Sequence, residues 1–182
     1  MSIYMGELGI MPINKETLSK YKSSDVFIET GSYIGEGIDI ALECGYKVIY
    51  SIELSEHYYN HCLEKYKNNY SVNLILGDSE IELPKLISSI NKKCDIWLDA
   101  HYSMGNTAMG TKICPLNEEL NSILNTNFNH TILIDDVRFM DTEWRNNIKK
   151  DEIIKLIKHK HNYEISYEDG YVNNDILVAK VK

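Results

Sequence analysis

Residues 25–37 read Asp25-Val26-Phe27-Ile28-Glu29-Thr30-Gly31-Ser32-Tyr33-Ile34-Gly35-Glu36-Gly37, and the fold turns on this stretch. A short apolar run, Asp25 to Glu29, suits a buried strand. Three glycines then fall within seven positions, and Gly35 to Glu43 carries apolar residues at Ile38, Ile40, Ala41 and Leu42. The order is strand, tight turn, helix, with Gly45 placed to end the helix. Glycines crowded at a strand end imply a close approach by something that a Cβ would obstruct. The competing reading is a turn whose glycines serve only tight strand-to-helix packing.

Outward from this unit the alternation continues. Lys47 to Ile52 reads as a second strand, and Ser55 is placed to cap a helix reaching about Lys67. Val72 to Leu76 is a third strand and Ile81 to Ile90 a third helix. Asp95 to Asp99 is a fourth strand, followed by a loop rich in Gly, Ser and Thr from Ala100 to Cys114. Pro115 opens a helix to about Leu124, and Thr131 to Asp135 is a fifth strand. Trp144 to His159 carries a helical pattern through Ile148, Ile153, Leu156 and Ile157. Tyr163 to Tyr167 and Asp175 to Val181 pair best as an antiparallel hairpin around the turn signal Glu168-Asp169-Gly170-Tyr171. Strands alternating with helices predict an α/β fold with a mostly parallel sheet and right-handed crossovers.

The bulk properties narrow the function. The chain has 182 residues, 43% of them hydrophobic and 25% charged, enough for one domain with a proper core. We place that domain at residues 25–182, with residues 1–24 as an N-terminal extension holding one short helical pattern, Lys15 to Tyr21. A net charge of −8 argues against a general nucleic-acid binder. No stretch has the length to span a membrane, and no secretory signal opens the chain. The four cysteines, Cys44, Cys62, Cys94 and Cys114, form no CxxC pair and read as reduced thiols of a cytoplasmic protein. Residues 1–24 offer little to close over a substrate, which leaves a homodimer open.

In open α/β sheets ligands bind outside the carboxyl ends of the strands. Each of the first five strands delivers a carboxylate there: Glu29, Glu53, Asp78 in Gly77-Asp78-Ser79, Asp99 in Asp99-Ala100-His101, and Asp135-Asp136. The glycine spacing, Gly31-x3-Gly35-x-Gly37, does not match the dinucleotide fingerprint GxGxxG, and no GK[ST] triplet marks a P-loop. Glu29 would repel a pyrophosphate and attract an ammonium, while Glu53 suits two ribose hydroxyls. The ligand implied is a nucleoside carrying a cation, a description that S-adenosylmethionine (SAM) fits.

The order E-x-G-x-x-x-G, an acid after the second strand and Gly-Asp-Ser after the third resembles the class I SAM-dependent methyltransferases, from about Asp25 onward. The resemblance implies a Rossmann-like, mostly parallel seven-stranded sheet ending in an antiparallel hairpin, with helices on both faces. Carried over by position, the cofactor site comprises Glu29, Thr30, Gly31, Ser32, Tyr33 and Gly35 around the methionine and ribose, Glu53 and Leu54 at the ribose, Asp78 and Ser79 beside the adenine, and Asp99. Tyr33 stands where the family has the middle of its usual GxG. A narrower resemblance joins Asp99, Asp135 and Asp136 to the metal site of the macrocin-type sugar O-methyltransferases and, more distantly, the catechol type. It implies magnesium held by these three carboxylates. Three converging carboxylates repel one another unless a hard cation joins them. Alternatively, Asp135 and Asp136 cap a helix or pair with Arg138 and Arg145.

His101 is the candidate general base, with metal ligation or loop orientation as other roles; Asp99 shares the catalytic assignment. The loop from Tyr102 to Lys112 is placed to act as a lid or clamp. Lys112 and Arg138 are placed to steer an anionic substrate or to serve as ordinary surface charges, and Tyr4, Tyr33 and Tyr102 are candidates to flank the ligands. The function expected is O-methylation of a small hydroxylated acceptor such as a sugar. The rivals are a SAM- or nucleotide-binding module without activity, an NAD-binding oxidoreductase, and an interaction protein on the same fold.

Overall fold

The computed structural model describes residues 13–100, 114–160 and 162–181. Seven strands form one sheet in the order β3-β2-β1-β4-β5-β7-β6. They are β1 (Val26–Thr30), β2 (Val48–Glu53), β3 (Val72–Leu76), β4 (Asp95–Leu98), β5 (Thr131–Ile134), β6 (Tyr163–Glu168) and β7 (Ile176–Val181). The first five pair in parallel; β7 runs antiparallel to both β5 and β6. This is the mostly parallel sheet with a terminal hairpin that the resemblance implied.

Among the described residues six helices flank it: α1 (Lys15–Tyr21), α2 (Glu36–Glu43), α3 (Glu56–Tyr66), α4 (Ser79–Ser89), α5 (Leu116–Leu124) and α6 (Lys150–Lys160). Alternate residues of a strand point to opposite faces, and the two core layers follow that rule. Phe27, Ile49, Trp97 and Leu133 pack with Leu18, Ile38, Ala41 and Cys62 of α1 to α3. Val26, Ile28, Ile96 and Ile132 pack with Leu83, Leu120, Ile123 and Ile157 of α4 to α6. Ile13, Leu18 and Tyr21, from the stretch read as an extension, are buried in the first layer. At the amino end of β4, buried Asp95 accepts hydrogen bonds from the Ser23 and Ser24 N–H groups and the Tyr46 hydroxyl. It thereby ties two connections to the central strands.

Two helix starts differ from expectation. α4 begins at Ser79, because the Asp78 carboxylate accepts the Glu80 N–H at 3.1 Å and acts as N-cap. The helix read from Trp144 begins only at Lys150. The preceding chain makes two 3-10 turns, Val137–Phe139 and Glu143–Arg145, and Asn146 and Asn147 then take φ of 54° and 55°. Asparagine tolerates that left-handed region, and two such residues in a row stop a right-handed helix. Ile148 still packs in the core, so the apolar spacing was real while the helix was not.

Candidate functional site

Strand order reverses between β1 and β4, so the connections leaving their paired carboxyl ends turn to opposite faces of the sheet, the place where such folds open a crevice. The loop 31–35 lies at this point. Gly31 has φ 89°, and a Cβ on it would sit 3.2 Å from the Asp99 carbonyl oxygen. Gly35 has φ 83°, and a Cβ there would lie 2.6 Å from the Tyr66 hydroxyl. That hydroxyl is 2.6 Å from the Gly35 carbonyl and 2.8 Å from Asp39 Oδ1. The packing explanation of these two glycines therefore holds: the chain's own atoms occupy the space a side chain would need.

Glu53 is pinned by the same loop. Its Oε2 accepts the Tyr33 N–H at 2.9 Å and its Oε1 accepts the Ser55 N–H at 2.7 Å. Tyr33 adopts φ 47° to reach it, and its ring tilts against Tyr58 at 4.5 Å between centroids. Each carboxylate oxygen keeps a second lone pair for a ligand. Leu54 is half-buried beside it.

Glu29 shares a sheet face with Phe27, toward α2 and α3, and is fully buried. Ser51 donates to its Oε1 at 2.6 Å, and Ser32 hydrogen-bonds Ser51 in turn. Its Oε2 has no hydrogen-bond partner among the described residues. Burial first, then the charges of Asp99, Glu53 and Asp39, against the opposing Ser51 hydrogen bond, push the carboxyl up to about 8. At neutral pH the carboxyl therefore holds its proton in the ligand-free chain.

Thr30 points to the other face. Its hydroxyl accepts the N–H groups of Asp99 and Ala100, each at 3.3 Å. Buried Glu119 of α5 lies near Thr30, Ser79 and Arg145; its Oε1 has no hydrogen-bond partner among the described residues, and burial, opposed by these neighbours, raises its carboxyl to about 7. The sequence reading missed Glu119. Its signal was an acid inside the apolar stripe of Leu116, Leu120 and Ile123.

At the ends of β4 and β5 the carboxylates of Asp99, Asp135 and Asp136 each place an oxygen within 4.8 Å of the others. Asp135 is buried, and its Oδ1 has no hydrogen-bond partner among the described residues. Burial, then the charges of Asp99 and Asp136, hold its carboxyl well above the usual range. The alternative pairing is present as well. Arg138 lies 2.6 Å from Asp136 Oδ1 and also binds Asp175, and buried Arg145 lies 3.6 Å from Asp136 Oδ2. Arg145 further donates to the Asp135 carbonyl at 3.0 Å. An all-oxygen set with one orphaned buried oxygen fits a hard divalent cation, with Asp99 and Asp135 less encumbered by arginine than Asp136. Arg138, read as steering an anion, as an ordinary surface charge or as a partner of the acidic pair, is engaged by the carboxylates of Asp136 and Asp175. Its guanidinium also lies against the rings of Phe139 at 4.4 Å and Tyr171 at 4.9 Å.

His101, Tyr102, Lys112 and the rest of that loop lie outside the described residues, as does Tyr4. Of the other histidines, His130 is buried and structural: its Nδ1 accepts the Cys94 N–H at 3.0 Å, so Nε2 donates to Thr126. His57 and His61 are exposed on α3. All four cysteines are free thiols, and Cys62, Cys94 and Cys114 are buried. No helix among the described residues is long and apolar enough to cross a membrane.

In sequence, no protein-family model and no curated protein matches the chain. In structure, it is similar to the O-methyltransferase TomG of Streptomyces achromogenes in complex with SAM, at 11% identity and a TM-score of 0.65, over 92% of this chain and 77% of that one. It is similar to the Podospora anserina methyltransferase PaMTH1 bound to S-adenosylhomocysteine (SAH), at 17% identity and a TM-score of 0.63, over 92% and 76%. An rRNA methylase of Streptococcus thermophilus aligns at 12% identity and a TM-score of 0.52, over 92% and 94%. The chain thus has the class I methyltransferase fold, and its structural neighbours differ in acceptor.

Proposed function

We propose that this chain is a SAM-dependent methyltransferase acting on a hydroxyl of a small acceptor such as a sugar, with a divalent ion, magnesium by its oxygen donors, held by Asp99, Asp135 and Asp136. One observation carries the reading. Glu53 and the loop 31–35 converge at the sheet's switch point, beside three convergent carboxylates. The Glu53 lone pairs not used by Tyr33 and Ser55 accept the ribose hydroxyls. Asp78 and Ser79 border the adenine. Glu29 ionises as it receives the ligand's ammonium, which satisfies its orphaned oxygen.

The transfer is an in-line displacement. The acceptor oxygen bonds the sulfonium methyl carbon, the carbon–sulfur bond breaks, its electron pair stays on sulfur, and the hydroxyl proton passes to a base. His101, two residues past Asp99, is the candidate for that base. When bound, the ion would lower the pKa of the acceptor hydroxyl. Thr30 holds the Asp99 backbone in register with the cofactor edge, and such positioning supplies much of the rate.

Calorimetric titration with SAH tests the first step. Glu53→Gln keeps one carbonyl acceptor for the loop; it should bind SAH about tenfold more weakly than wild type, as expected when hydrogen bonds to a charged group are lost. Absence of SAH binding to the wild-type chain sinks the proposal. Methyl transfer that survives both chelation and Asp135→Asn removes the metal from it.

A further inference from the structure

The site's acceptor side has a wall that the strand-end carboxylates alone do not explain. The cofactor residues lie over β1, β2 and β3, while β4, β5 and β7 carry the other half of the crevice. There the Arg138 guanidinium, 2.6 Å from Asp136, is flanked by Phe139 and Tyr171. The Phe139 ring continues to Trp144, 6.2 Å away between centroids. Trp144 is 53% exposed and Tyr171 50%, among the largest exposed apolar side chains described. Two aromatic rings open to solvent are thus linked through one guanidinium to the acidic trio.

We propose that this wall, Phe139, Trp144 and Tyr171 around Arg138, is the acceptor subsite, and that it takes an uncharged ring bearing hydroxyl groups. This rests on the methyltransferase reading of the same site. The apolar face of such a ring lies flat on an aromatic side chain, while its hydroxyls reach the carboxylates at the rim. Charge decides against an anion. Arg138 is held by Asp136 and Asp175, and Arg145 is buried against Asp135 and Asp136, so neither guanidinium described at this rim is available. Among the described residues, four carboxylates (Asp99, Asp135, Asp136 and Asp175) face two guanidiniums, and one divalent ion brings these groups only to neutrality. The same balance, with the chain's charge of −8, disfavours a nucleic-acid acceptor.

The chain's own tryptophans report on the wall, because Trp97 is fully buried and Trp144 is not. Acrylamide quenching therefore reads Trp144. The full chain, saturated with SAH and magnesium, would be titrated with phenyl β-glucoside, with catechol and with phenyl β-glucuronide. Protection of Trp144 by either neutral ring is expected, and the two arms separate a sugar from a planar diol. Tyr171→Ala should weaken that protection roughly three- to tenfold, the worth of one ring contact, with SAH affinity unchanged. The glucuronide should bind about tenfold or more weakly than the glucoside. Equal binding of glucoside and glucuronide, no protection by either neutral ring, or an unaltered titration in Tyr171→Ala overturns the inference. So does sedimentation showing that a second copy of the chain is what shields Trp144. Failure of SAH itself to bind the wild type is a separate result; it removes the methyltransferase reading and this inference with it.

Discussion

Glu29 shows how one buried atom shapes behaviour at the scale of a residue. The ordinary value of its carboxyl is 4.5 and its folded value about 8. Between those pH values the folded chain holds a proton that the unfolded chain has lost. The stability this contributes is present in full below about pH 4.5 and is lost as pH rises to about 8. Glu119, raised to about 7, adds to the slope over the lower part of that window. Urea denaturation at several pH values should show the ligand-free chain weakening from acid to mildly alkaline solution, and Glu29→Gln should flatten the decline. Parallel curves for the two chains would show that Glu29 is not the group responsible. Much at this scale was legible beforehand. A carboxylate at every strand end could be read from residue order alone, because a parallel sheet delivers all its strand ends to one rim. Glu119 could not, since it reaches the site from a helix whose orientation depends on the packed core, whereas the pairing of Arg145 with Asp136 was among the readings the sequence offered. Nor was it legible that Glu53 is bound by its own loop, a property of backbone N–H direction.

At the scale of elements, apolar spacing found every strand and all six helices of the described residues, because each must bury one face against the sheet. It failed at the start of α6. Ile148 is buried whether or not the backbone around it is helical, so its spacing carried no information about the turns before Lys150. The decisive signal was Asn146-Asn147, at φ 54° and 55°. The Asn147 N–H donates to the Thr142 carbonyl at 2.8 Å, closing the loop that brings Arg145 to Asp135. Asn147→Gly should leave stability within about 0.5 kcal/mol of wild type, whereas Asn147→Val should cost about 1–2 kcal/mol, since a β-branched residue is least at ease with positive φ. Equal denaturation midpoints for the two variants would contradict the left-handed assignment. A divalent-ion titration of Asn147→Val would further show whether this loop supports the carboxylate pair.

At the scale of the whole molecule, the two halves of the sheet differ at their rim: one presents the glycine loop and Glu53, the other carboxylates and aromatic rings. β1 lies at the seam, with all five of its residues buried. It pairs with β2, which follows it closely, and with β4, where Phe27 meets Asp95 across most of two further helix–strand units. The seam has a consequence in time. While the chain folds, β1, β2 and β3 can assemble from neighbouring sequence well before β4 arrives, because long loops close late. In that interval the edge Val26-Phe27-Ile28 is unpaired and apolar, a template for another chain's strand. Refolding from denaturant should therefore lose yield steeply as protein concentration rises, and Phe27→Lys, although it weakens the native core, should reduce the aggregated fraction formed in the first moments. Light scattering during rapid dilution measures both. The strand at the sheet's switch point in the finished protein is thus an adhesive edge on the way there.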